Sequence, residues 1–127
     1  MLERGDRVPH FEVATLDGRR ARYTDVWQRK NLLLVSVSEV ESSESSGYLA
    51  QLSAGMPALT AHDTAFVVTR DPVDGAPRPG VVIADRWGEI HFVARAPAAG
   101  ELPDADELIG WLRYVQQQCP ECEGEAR

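Results

Sequence analysis

Apolar and other residues alternate from Phe11 to Leu16 and stop at Asp17-Gly18, a dipeptide that favours a tight turn. This predicts a short strand, with Arg20 to Tyr23 returning as its hairpin partner. Thr24 to Gln28 suits one helical turn capped by Thr24. Asn31 to Val37 is a nearly continuous apolar run of strand length, as expected of a central strand covered on both faces. Tyr48, Leu49 and Leu52 then recur at helical spacing, and Gly55 and Pro57 are expected to stop that helix. Ala65 to Thr69 reads as a second buried strand. Val81 to Ala84 and Glu89 to Val93 flank Asp85-Arg86-Trp87-Gly88 and predict a hairpin. In its second arm His91 alternates with Ile90 and Phe92, so its side chain is expected on the face opposite to both. Finally, Asp104 can cap a helix and Glu107 can reach back to the cap. Leu108, Ile109, Trp111, Leu112 and Val115 line one face of that helix, and Pro120 ends it.

The predicted order is hairpin, strand, helix, strand, hairpin, helix. Buried central strands joined through a helix imply a parallel crossover, and a hairpin at one edge makes the sheet mixed. The chain is therefore expected to be one α/β domain over residues 1-118, followed by a short acidic tail over 119-127.

Composition narrows the partners. The 127 residues suffice for one core and not two. Twenty acidic residues stand against 13 basic ones, a formal charge of -7. That balance argues against nucleic acid and anionic membrane, both of which need a concentrated positive face. The charged start, Met1 to Asp6, does not look like a signal peptide, and no apolar run is long enough to span a bilayer. The expected location is the cytoplasm, by default. Two cysteines, both near the end, exclude a disulfide scaffold.

Three stretches together resemble the thioredoxin-like superfamily, in particular its redoxin branch of peroxiredoxins and thiol-disulfide oxidoreductases. Gly5 to Phe11 with Leu16-Asp17-Gly18 is similar to that branch's opening pattern. Asn31 to Val37 lies where the strand leading to the active site belongs. Pro79 to Ile90 is similar to the proline-strand-Asp-x-x-Gly-x-Ile segment. The resemblance implies a thioredoxin-like fold with a central mixed sheet flanked by helices and an N-terminal β-hairpin. It also implies that Pro79 is a cis-proline beside the active site; without it, Pro79 reads as a trans proline opening a strand. Beside it, Arg78 is either an anion contact or a solvated charge.

In this branch a reactive cysteine follows the strand, where a helix N-terminus stabilises the thiolate. Here Ser42 and Ser45 fall at the two cysteine positions, and no cysteine occurs between Met1 and Gln118. Serine forms no disulfide and does not attack a peroxide as a thiolate does. The resemblance thus points to a degenerate substrate site at Arg78, Pro79, Ser42 and Ser45. Serine catalysis would need an adjacent base, and no Gly-x-Ser-x-Gly elbow is present. Helix capping accounts for these serines more simply. His10, His62 and His91 show no metal-ligand spacing and read as structural or surface residues.

Cys119-Pro120-Glu121-Cys122 carries the remaining chemistry and has three readings. As a redox dithiol, Cys119 and Cys122 would be the catalytic residues of a thiol-dependent oxidoreductase or peroxiredoxin-like protein. As a metal half-site, they would bind zinc, completed by a protein partner or by a homodimer that shares four thiolates. Otherwise they are part of a polar tail. The helix C-terminus and Glu121, Glu123 and Glu125 disfavour the thiolate, whereas a bound dication would favour it. Two functions follow: a divergent redoxin acting through the Cys pair, or a non-catalytic binding or assembly module.

Overall fold

The computed structural model describes residues 2–37, 43–60 and 63–117, with backbone alone for 43–45. Strands β1 (Glu12–Ala14) and β2 (Arg20–Arg22) form the expected hairpin, with Gly18 in the left-handed region at φ 88°. A single 3₁₀ turn follows at Tyr23–Asp25. Its cap position is Arg22 rather than Thr24, and no side chain caps it. The Thr24 cap is thus corrected: the cap lies two residues earlier because Tyr23 is drawn into the core.

Strand β3 (Asn31–Ser36) is buried along its whole length. It pairs in parallel with β4 (Thr64–Thr69) and antiparallel with β5 (Gly80–Ala84), which in turn pairs with β6 (Ile90–Arg95). The resulting order is β4-β3-β5-β6. Helix α1 (Ser43–Ala54) lies in the crossover from β3 to β4. Helix α1 ends at Ala54, just before Gly55, as expected, and Pro57 does not prolong it. Pro57 instead occupies the first turn of a short α2 (Met56–Thr60), where a missing N–H costs nothing. Helix α3 (Ala105–Gln117) opens with the Glu107 N–H donating to Asp104 Oδ1 at 2.9 Å, the predicted cap.

Pleating divides the core in two. Leu33, Val35, Val81 and Ile83 face the helices and meet Tyr48, Leu52, Leu59, Leu108, Leu112 and Val115. Leu32, Leu34, Val82 and Ala84 face the other way, against Val8, Val13 and Tyr23 of the N-terminal segment. All three helices thus contribute to one cluster, and the hairpin covers the opposite side. Buried Thr69 fastens this cover: its hydroxyl donates to the Ala14 carbonyl at 2.7 Å, and the Ala14 N–H donates to Asp71 Oδ2 at 2.8 Å.

The alternation fails at one place. Ile83 opposes Phe92 and Ala84 opposes Ile90, leaving His91 as the extra residue of a β-bulge. Ile90 therefore points into the hairpin-side core, while Phe92 stacks on Trp111 of α3 at 4.7 Å. This corrects the expectation that Ile90 and Phe92 share a face with His91 opposite. The His91 ring instead meets Tyr114 of α3, with centroids 6.1 Å apart.

Candidate functional site

The end of the sheet where β3 finishes and β5 starts carries the candidate site. Ser36 opposes Gly80, so the Arg78-Pro79 segment lies beside the C-terminal end of β3. The Arg78–Pro79 peptide bond is cis. Pro79 is partly buried and Arg78 is exposed. Gly80 is required here: a Cβ on it would lie 2.4 Å from Pro77 Cγ and 2.5 Å from the Pro77 carbonyl oxygen. Across the ladder Gly80 opposes Arg95. Pro77, Arg78, Pro79, Arg95, Ala96 and Pro97 line an open depression of about 440 Å³. Three prolines give it a stiff apolar floor, and two arginines lie at its rim. Such a surface can receive an extended segment, with positive charge at its edge. Arg95 and Pro77 escaped the sequence reading; the glycine-arginine pairing depends on register, which no local pattern reveals.

The other expected site residues are not gathered there by the described structure. Ser45 falls in the first turn of α1, and Ser42, Cys119, Cys122 and His62 lie outside the described residues. The described part of α3 ends at Gln117, and its Gln116 accepts a hydrogen bond from Asn31 Nδ2 at 2.8 Å. That contact belongs to the start of β3, whereas Pro79 belongs to its finish.

Two further groupings of polar residues need a physical account. At the hairpin turn, Asp17 accepts bonds from the Thr15 hydroxyl and from the Arg19 N–H, which hold its carboxyl below the usual range. This is turn closure, with Gly18 supplying the positive φ. At the β5–β6 turn, Asp85 Oδ1 accepts from the N–H groups of Trp87 at 2.9 Å and Glu89 at 3.0 Å. Asp85 Oδ2 lies 3.0 Å from His91 Nε2. His10, by contrast, packs edge-on against Tyr23 and Trp27 and is exposed, as a structural histidine would be. Among the described residues no helix is long and apolar enough to cross a membrane.

Comparison with solved structures finds the same architecture in several redox proteins. A 2-Cys peroxiredoxin of Plasmodium vivax superposes with a TM-score of 0.72 at 12% identity, over 90% of this chain and 82% of that one. A peroxiredoxin-like protein of Aquifex aeolicus gives 0.64 at 15% identity, covering 90% and 88% of the two chains. A thiol:disulfide interchange protein of Chlorobium tepidum gives 0.65 at 10% identity, covering 91% and 99%. No protein-family model matches the sequence, and comparison with curated proteins finds no match. At these identities the likeness establishes the thioredoxin-like fold of the redoxin type.

Proposed function

From that fold, we propose that this chain is a divergent redoxin, a thiol-dependent oxidoreductase whose chemistry resides in Cys119 and Cys122. The observation that carries the reading is the redoxin-type fold joined to a sequence whose only thiols are these two. In the proposed reaction one thiolate attacks a partner's disulfide, forming a mixed disulfide and releasing a partner thiolate. The second cysteine then attacks the mixed bond. Two electrons and two protons pass to the partner, and a Cys119–Cys122 disulfide remains.

Cys119 and Cys122 are the sequence's only two thiols, so the disulfide that they reduce in this reading is carried by another chain. The depression at Pro79 suggests a second reading: a non-catalytic module that receives a peptide there and uses the tail to bind zinc or join two copies.

Native mass spectrometry of the purified chain, before and after reduction, separates the two. A monomer that gains two hydrogens on reduction, about two mass units, supports the redox reading, as does trapping of a mixed disulfide by Cys122→Ser. One metal per two chains overturns it and establishes the binding module. A metal-free, reduced chain that transfers no electrons to a protein disulfide also overturns it.

A further inference from the structure

The β5–β6 turn holds a convergence of side chains that thiol chemistry does not use. Asp85 Oδ1 is engaged by the turn's own N–H groups, which fixes the plane of the carboxylate and directs Oδ2 at His91. The bulge places His91 there, and the Tyr114 ring backs its imidazole. Both side chains are largely withdrawn from water, at 10% and 12% exposure. Glu89 stands at the exposed rim, and one ligand atom from each of the three residues lies within 4.8 Å of the others. Among the described residues neither carboxylate is paired with an arginine or lysine.

We propose that Asp85, Glu89 and His91 form a binding site for a divalent first-row transition ion, of which Mn²⁺ is representative. Asp85 Oδ2 and His91 Nε2 lie at hydrogen-bond distance, 3.0 Å, which puts both within reach of one ion. One imidazole and two carboxylates suit such an ion, with water in the remaining positions. The ion replaces the proton between Oδ2 and Nε2, and Glu89, free to change rotamer at the surface, closes the third position. The backbone donors to Asp85 act as the outer shell that holds a ligating carboxylate in place. A simple Asp85–His91 hydrogen bond uses the same two atoms but has no need of Glu89, and this difference makes the proposal testable.

Mn²⁺ is titrated into the full-length protein, and the free-ion EPR signal is followed for the wild type and for the Cys119→Ser/Cys122→Ser variant. One ion per chain is expected in both. Glu89→Gln, at an exposed position outside the core, is expected to weaken binding at least ~10-fold, and His91→Ala to abolish it. Bound Mn²⁺ should broaden the amide NMR signals of residues 85–91 first, which locates the site without relying on the fold of any variant. No binding at ~1 mM overturns the proposal, as does affinity unchanged in Glu89→Gln or binding lost with the two cysteines.

Discussion

Asn31 Nδ2 donates to Gln116 Oε1 at 2.8 Å, which sets the last described turn of α3 beside the first residue of β3. Asn31 is buried, so the amide has exchanged water for this contact. Gln116→Ala should lower the unfolding free energy by about 1 kcal/mol in urea denaturation. Amide exchange should quicken at Tyr114 to Gln117 and stay slow in β3. Unchanged exchange at those four residues would show that the contact does not hold the helix end.

Two buried tyrosines should respond oppositely to the same substitution. Tyr48 Oη donates to the Pro103 carbonyl at 2.7 Å, whereas Tyr23 Oη is buried without a hydrogen-bond partner among the described residues. Tyr48→Phe should cost about 1 kcal/mol, while Tyr23→Phe should be neutral or stabilising, because it removes a polar atom that is desolvated without return. Urea midpoints of the two variants test this. A loss for Tyr23→Phe equal to that for Tyr48→Phe would contradict it.

Burial, helped by the charge of Asp85 and opposed by Arg7, pushes the Tyr23 phenol from 10.0 up to about 12. The folded state therefore keeps a proton that the unfolded chain releases. The resulting stabilisation is complete below pH 10 and is lost as pH rises toward 12, with a slope of at most about 1.4 kcal/mol per pH unit. Tyr48 is shifted the same way, chiefly by burial and then by Asp104 and Glu107. Each Phe variant should show a shallower alkaline fall in stability than wild type, read from urea unfolding between pH 9 and pH 12. Equal slopes would mean that neither phenol keeps its proton in the fold.

Gly80→Ala should destabilise by about 1–3 kcal/mol, as overpacking does, because Pro77 offers backbone and ring atoms with no freedom to withdraw. Gly47→Ala makes a suitable control, since a Cβ there meets nothing within 4 Å. Equal urea midpoints for the two variants would show that the Pro77 segment yields.

The fold was legible wherever one pattern governed one element. Leu32 to Val35 and Val81 to Ala84 are apolar throughout, as a strand buried on both faces requires. The Asp104 cap and the apolar face of α3 were equally direct. Legibility failed where tertiary packing overrode a local signal. Gly55 and Pro57 follow the end of α1 as expected, but the short α2 with Pro57 in its first turn was missed. His91 was assigned a face by strict alternation, and a single inserted residue in β6 moved it toward α3 and Asp85. For the same reason the Asp85–Glu89–His91 convergence went unseen, since a bulge leaves no mark in one sequence. The proline segment of the candidate site was found through resemblance, but Arg95 was missed because its place depends on strand pairing.

The N-terminal layer has a consequence for synthesis. Leu2 bonds to Gly75, Gly5 to Ile90, Val8 to Gly88 and Leu16 to Val68, so this segment is held by contacts some 50 to 85 positions later in the chain. Val8, Val13 and Tyr23 meet Leu32, Leu34 and Val67 of β3 and β4, but their remaining partners, Val82, Ala84 and Ile90, come only with β5 and β6. Such long-range closure slows folding relative to the local helices. The segment from Leu2 to Tyr23 precedes every strand that it covers, and until β6 follows, the hairpin-side face of the sheet, from Leu32 to Ile90, stands partly open to whatever else is in solution.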